Sequence, residues 1–322
     1  MLRKLRLIFL RTLEYLEIKI ENGTRFARDK KWWIVGVVVW AAAAWFFVRP
    51  LPDCQCLRVI MFDIGQGDGF AVIMPDNKKM IVDFGPSDLI VSSWQRYFDP
   101  ADKNINEAIF SHPDLDHLSG SLPLLRQYVF ERVLGSWPKH EIAEVLVLEK
   151  YWSDFDFKPM QAVGPRNIFL GPDIFLELLW PQKNVRGFLT KNTNNESMVF
   201  RLRYKNSAIL FTGDAEKLTE EMLLKQKVDL KSEVLKVSHH GSKTGTSLEF
   251  LKAVSPALAL ISVGANNKYG HPHLEVIKRL AGQNIKTYRT DQLGDVILRS
   301  DGKTWSVEDK PLWQAWQEWL IR

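Results

Sequence analysis

The stretch SHPDLDHLSG, Ser111 to Gly120, decides how the rest of the chain is read. Side chains that can ligate a metal stand at His112, Asp114 and Asp116, and His117 follows at once. NEAIFSH reads as a strand running into this stretch and GSLPLLRQY as a helix leaving it. The four groups are therefore presented in a short loop at a sheet edge. Gathered and buried without a cation, such groups would cost several kcal/mol each. Their density points to a metal.

Partners come from farther along. LFTGDAE offers Asp214 at the end of an apolar strand. LKVSHHGS offers His239 and His240 between a strand and a glycine, and NNKYGHPH adds His271 and His273. Six of the seven histidines thus fall into three clusters.

The whole chain sets the frame. Its 322 residues, 46% hydrophobic and 25% charged, are those of a folded protein of one large domain or two ordinary ones. The net charge of +5 belongs to residues 1–31, which hold nine Lys/Arg and four Asp/Glu; the remaining basic and acidic residues cancel. A nucleic-acid groove on the main domain is neither indicated nor excluded by charge. Cys54 and Cys56 are too few for a disulfide framework, and a bridge between residues two apart closes a strained ring. They are expected as unbridged linker residues, and no redox compartment is read from them.

WWIVGVVVWAAAAWFFV, residues 32–48, has no charged residue and is long enough to span a bilayer core. Lys30 and Lys31 precede it, and Trp32, Trp33 and Trp45 lie near its ends, where indoles favour the interface. This predicts an uncleaved single-pass anchor in a bacterial inner membrane, N-terminus cytoplasmic and the rest of the chain extracytoplasmic. The segmentation is a basic arm (1–31), the transmembrane anchor (32–48), a linker (49–56), a main domain (57–309) and a Trp-rich C-terminal helix (310–322). The arm reads as a helix lying on anionic lipid or as a solvated one. Trp313, Trp316 and Trp319 share one face of the last helix, for core packing or for the membrane interface.

From Leu57 onward short Val/Ile-rich runs broken by Gly and Pro read as strands. SDLIVSSWQRYF reads as a helix capped by Ser87, MVFRLRYKNSAILF as a hairpin turning at KN, SLEFLKAVS and LEVIKRLAG as helices, and DVILRSDGKTWSVE as a closing hairpin. Strands and helices with ligand-type residues at strand ends predict an α/β fold of sheets covered by helices.

Seven pieces in order, FDIGQGDGFAVIM, MIVDFG, SHPDLDHLSG, NTNNESMVFRL, ILFTGD, LKVSHHGSKTGT and SVGANNKYGHPH, make the chain resemble the metallo-β-lactamase fold superfamily. Within it the chain is most similar to the hydrolase domain of ComEC-like DNA-uptake proteins, over roughly Leu57 to Ile297. A single apolar segment stands where those proteins have a multi-spanning channel. The resemblance implies a four-layer αββα sandwich with two divalent ions between the sheet edges.

Against the superfamily pattern H-x-H-x-D-H, His112, Asp116 and His117 match and Asp114 replaces the second histidine, as in ComEC-like domains. Asp214 matches the bridging carboxylate. His240 matches the late histidine, with His239 ligating instead or supporting it. Midway, where the superfamily carries another histidine, this chain has NNES with Asn195 and Ser197, and Ser119 departs from the usual D-H-x-G-G. Such an oxygen-rich set favours Mn²⁺ over Zn²⁺. Asp83 supports the ligand loop; Asp63 and Asp68 are turn formers or part of the site.

The implied mechanism is hydrolysis by a two-metal-activated hydroxide, oriented by Asp116. His271 contacts the phosphate or protonates the leaving group, and Ser242 and Lys243 bind a phosphate oxygen. The expected function is a phosphodiesterase or nuclease, acting on DNA or another phosphodiester. The alternatives are a hydrolase of another ester (phosphocholine ester, lactone or β-lactam) and a catalytically weak metal-binding component of a membrane complex. Protein partners are not indicated.

Overall fold

A computed structural model describes residues 55–308. The basic arm, the 32–48 segment and the Trp-rich end lie outside these residues. Among the described residues no helix is long and apolar enough to cross a membrane.

Strands β1 (Leu57–Met61), β2 (Gly69–Ile73), β3 (Lys79–Phe84), β4 (Asn104–Phe110), β5 (Val129–Gly135) and β6 (Met160–Gln161) belong to one sheet. Strands β7 (Arg166–Gly171), β8 (Ile174–Trp180), β9 (Val199–Tyr204), β10 (Ser207–Phe211), β11 (Val234–Lys236), β12 (Leu258–Ile261) and β13 (Lys286–Arg289) form the second. The chain then returns to the first sheet with β14 (Val296–Ser300) and β15 (Trp305–Glu308). The strand orders are β15-β14-β1-β2-β3-β4-β5-β6 and β13-β12-β11-β10-β9-β8-β7.

Period-2 alternation explains why the two sheets face each other. Leu57, Val59 and Met61 of β1, Phe70 and Val72 of β2, and Ile209 and Phe211 of β10 enter one central cluster. Residues one step out of phase face outward: Leu210, Ala259 and Ile261 join the cluster beneath the helices of the second sheet. Those helices are α5 (Lys217–Lys225), α6 (Leu248–Val254) and α7 (Leu274–Gly282), which supply Leu223, Phe250, Leu251, Val276 and Leu280. Each such side chain, fully buried, stabilises by about 1.5–3 kcal/mol.

The first sheet is covered by α1 (Leu89–Gln95), α2 (Leu115–Leu118), α3 (Ser121–Leu125) and α4 (Ala143–Asp154), where aromatic rings do most of the packing. Phe110 meets Phe84, Trp137 and Trp152 at centroid separations of 4.3, 5.0 and 6.0 Å. The result is the expected αββα order. A last short helix, α8 (Thr290–Leu293), precedes β14.

Local readings hold with small differences. The β9–β10 hairpin turns at Lys205, whose φ is +52°. Helix α1 starts one residue later than expected: Asp88 takes the cap position, although Ser87 Oγ still accepts from Leu89 N at 3.3 Å. A short helix, α2, forms within the motif itself, and the helix expected after it is confined to Ser121–Leu125. Cys56 is disulfide-bonded, which corrects the expectation of unbridged linker residues. The other cysteine, Cys54, lies outside the described residues.

Candidate metal centre

Adjacent strand ends build the site. Parallel β3 and β4 end side by side, one delivering Asp83 and the other Ser111 and His112. From the facing sheet, β10 delivers Asp214 and β11 delivers Lys236 and, three residues on, the His239–His240 pair. The loop between β1 and β2 closes over the motif: Asp68 N donates to Asp116 O at 3.2 Å, and Ser262 Oγ to Gly67 O at 2.6 Å. Gly67 must be glycine here, since its φ is +141° and a Cβ would stand 2.3 Å from the Asp116 carbonyl oxygen.

The imidazoles are held by their outer nitrogens. Asp83 accepts from His117 Nδ1 at 2.9 Å, from Ser111 N at 2.7 Å and from Ser111 Oγ at 2.6 Å. His112 Nδ1 meets Ser111 Oγ at 2.9 Å, and His240 Nδ1 donates to the Ser262 carbonyl at 2.9 Å. Each outer contact turns Nε2 inward.

There His117 Nε2 lies 3.2 Å from Asp214 Oδ1, and His240 Nε2 lies 3.3 Å from Asp116 and 3.5 Å from Asp214. The Nε2 atoms of His112, His117 and His240 and Asp214 Oδ1 are all buried and lack a hydrogen-bond partner among the described residues. Buried polar atoms are rarely left so. These residues fall into sets whose donor atoms lie within 4.8 Å of one another: His112, His117 and Asp214; Asp116, His117 and His240; Asp68, Asp214 and His240; and Asp68, Asp83 and His117.

This donor set fits divalent cations. Asp68, Asp83, Asp114, Asp116 and Asp214 bring five negative charges. The buried Lys236 ammonium, paired with Asp68, 3.5 Å from Asp214 and donating to Gly213 O at 2.7 Å, balances one. Two divalent ions would balance the other four.

Without a cation the imidazoles take that role. Burial alone would lower the pKa of His240, but Asp214 and Asp68 outweigh it and hold it at about 10. Asp214 and Asp83 likewise raise His117. Burial would raise Asp68, but Lys236 and His240 pull it down to about 2; Asp214 is lowered by His117, His240 and Lys236 despite its burial.

The structure separates residues that the sequence left open. His240 is 1% exposed and part of two closed sets, whereas His239 is 25% exposed and stands on the rim, 3.7 Å from Asp214. The chain achieves this split with consecutive left-handed residues, His239 (φ +49°), His240 (φ +53°) and Gly241 (φ +85°). Asp68 is buried beside His240, whereas Asp63 is exposed and its N–H donates to Asp295 at 2.7 Å.

Asp114 stands 3.6 Å from His112 and 3.7 Å from His140, accepts from Thr193 Oγ1, and is absent from the closed sets. His112 and Thr193 hold its carboxyl below the usual carboxylate range despite burial.

Other expected residues stand farther out or elsewhere. Asn195 does not face the centre: its carbonyl accepts from Trp180 Nε1 and Thr219, and its side-chain oxygen also meets Thr219. Its neighbour Asn194 approaches His239 instead, at 3.5 Å, and Ser197 Oγ accepts from Asp214 N at 3.1 Å. Ser242 is buried and bonds Thr244, while Lys243 is exposed. His271 packs edge-on to His239 at 5.6 Å. Burial, then His239 and His240, lower its pKa to about 4, which favours the neutral imidazole.

Sequence reasoning passed over Lys236, Ser111 and His140. Lys236 sits in an apolar strand and His140 stands alone in the chain. Only the motif-adjacent position of Ser111 could have flagged it.

Residues 64–265 match the family model of the metallo-beta-lactamase superfamily. The chain is 29% identical over 270 residues to ComE operon protein 3 of Bacillus subtilis (strain 168), covering 75% of this chain and 33% of that protein. It is 29% identical over 273 residues to competence protein ComA of Neisseria gonorrhoeae, covering 81% of this chain and 35% of that one. It thus spans about a third of the length of these curated relatives. The solved structure of CmlA, a diiron β-hydroxylase from Streptomyces venezuelae, superposes with a TM-score of 0.51 at 13% identity, over 78% of this chain and 55% of that one. At that identity the likeness concerns the fold alone.

Proposed function

Because the chain belongs to the metallo-beta-lactamase superfamily, whose members are mostly metal-dependent hydrolases, we propose that it is a membrane-anchored phosphodiesterase or nuclease acting outside the cytoplasm. The observation that carries this reading is Asp114 facing His112 where the superfamily pattern has a second histidine. An oxygen donor there gives the outer position a harder ligand set and favours Mn²⁺ over Zn²⁺. It also moves the chemistry from acyl substrates towards phosphoryl ones. The competence-related names of the relatives support DNA as the phosphodiester.

Two divalent ions supply, when bound, a water activated near neutral pH and a polarised phosphoryl oxygen. The residues do the rest. Asp116, His117, His240 and Asp214 hold the inner position; His112, Asp114 and Asp214 face the outer one. Asp116 also orients the attacking water. His271, neutral, hydrogen-bonds the substrate, and the exposed Lys243 attracts a phosphate oxygen. The apolar segment at 32–48 behind a basic arm supports an inner-membrane anchor, and the disulfide at Cys56 supports an oxidising compartment.

A second reading, a catalytically weak metal-binding component of a membrane complex, is favoured by one observation: Asp114 lies outside every closed set, so the outer position is the looser.

The test is turnover by the full chain in detergent, with bis-p-nitrophenyl phosphate and with single- and double-stranded DNA, under Mn²⁺, Mg²⁺ or Zn²⁺. Metal binding without turnover of any substrate would establish the second reading. Turnover of the small diester alone would point to another phosphodiester. For topology, an inactive C-terminal alkaline phosphatase fusion would overturn the extracytoplasmic placement.

A further inference from the structure

The outer metal position, with His112, Asp114 and Asp214, is one imidazole short of the inner one. The chain's seventh histidine stands beside it. His140 lies in the connection between β5 and α4, which is fixed to the site's own framework. Ser136 N donates to the carbonyl of Phe110, the last residue of the strand that leads to His112, at 3.2 Å. Lys139 N donates to Phe188 O at 2.9 Å and Gly187 N to Trp137 O at 3.0 Å. The loop thus brings His140 Nε2 to 3.7 Å from Asp114 Oδ1. The other oxygen of the same carboxylate, Oδ2, is 3.6 Å from His112 Nε2.

Neither separation is a hydrogen bond. Both are somewhat longer than the spacing of two donors that share one cation through bonds of about 2.1 Å, so His140, which is absent from the closed sets, would move inward to share the ion. His112 Nε2 is fully buried, faces this carboxylate and has no hydrogen-bond partner among the described residues. Thr193 Oγ1 donates to Asp114 Oδ1 at 2.6 Å, which leaves that oxygen a second lone pair. His140 is 27% exposed, in a loop, and can adjust. The superfamily's midway histidine is absent from NNES, and an imidazole approaches from another element.

We propose that His140 is a direct ligand of the outer metal ion, completing with His112 and Asp114 a donor set that the motif pattern leaves unfilled. This rests on the two-metal reading of the site.

Cobalt(II) is the probe, added to the full chain in detergent and followed by calorimetry and visible absorption. Wild-type protein is expected to bind two equivalents. His140→Ala is expected to keep the first with unchanged affinity and an unchanged melting temperature. Losing even an outer support of a ligand costs about 10–100-fold in affinity, so the second equivalent is expected to weaken by at least that. In His140→Cys a thiolate-to-cobalt charge-transfer band, absent from wild type, is expected with the second equivalent.

A second equivalent of unchanged affinity in His140→Ala would overturn the inference. So would a weakened second equivalent with no charge-transfer band in His140→Cys, since His140 would then act on Asp114 from outside the coordination sphere. Wild-type protein that binds a single equivalent would instead overturn the two-metal reading itself.

Discussion

Replacing Asp83 by Asn tests how the inner position is organised. Asp83 is buried at φ +54°, a conformation that Asn tolerates and most residues do not, so the exchange removes charge with little backbone strain. Its Oδ1 can still accept from Ser111 N. Its Oδ2, which receives both Ser111 Oγ and His117 Nδ1, becomes an amide nitrogen. Facing a donor, His117 Nδ1 must give up its hydrogen, and the proton moves to Nε2. That atom points at Asp214 and at the inner cation position. The wrong tautomer is thereby favoured where a lone pair is required.

Loss of such a partner costs about 10–100-fold in metal affinity, or about 1.4–2.7 kcal/mol. This agrees with about 1.5–3 kcal/mol for a hydrogen bond to a charged group. The assay is competition against a chromophoric chelator, with unfolding in chelator as the control for the fold. An inner-ion affinity within twofold of wild type, in a folded protein, would refute the assignment of Asp83 as the partner that sets the His117 tautomer.

Four further outcomes are expected. Asp214→Ala removes a carboxylate common to two of the closed sets; metal-dependent turnover of bis-p-nitrophenyl phosphate should fall to background, and persistent turnover would mean the reaction occurs elsewhere. Since His240 is held at about 10 and His117 is also raised, binding must displace their protons. Apparent affinity should therefore rise with pH, about tenfold per unit for each proton released, and calorimetry in buffers of different ionisation enthalpy counts those protons.

The same shifts set stability in chelator. The folded-state pKa of His240 lies above the ordinary 6.5, so the stabilisation is complete below 6.5 and is lost as pH rises through about 10; a urea midpoint that climbs over that window would contradict this. In Gly120→Ala the new Cβ would stand 2.0 Å from the Phe84 carbonyl oxygen and 2.7 Å from that of Ser87. A loss of about 1–3 kcal/mol or more should appear in urea melts, whereas an unchanged midpoint would remove Gly120 from its place against β3.

The alternation of Val/Ile runs and the turn at Lys205 made the two sheets legible, because strand period and turn chemistry are local properties. His112, Asp214 and His240 were legible for a related reason: each closely follows a strand end, where a sheet presents side chains, and Asp116 and His117 share the motif of His112. What stayed hidden depends on contacts between distant segments. Asp63 and Asp68 look alike in FDIGQGDG, yet one faces solvent and the other is buried beside Lys236. His140 stands alone between two elements, and hydrogen bonds to Phe110, Gly187 and Phe188, distant in sequence, bring its loop to Asp114. The turn of Asn195 towards Trp180 follows from packing against α5, which no local pattern records.

The left-handed bend at His239–His240 sets a limit on how this domain can be improved. Each side-chain-bearing residue in that conformation costs of the order of 1–2 kcal/mol, which the surrounding packing must outweigh. Glycine at either position would release part of that strain. At 239, on the rim, a sturdier domain is obtained with the inner ligands intact. At 240 the same gain removes an inward-facing nitrogen. Selection for thermal endurance alone would therefore drift towards glycine at both, and half of that drift would leave a more stable protein that has lost part of its metal centre.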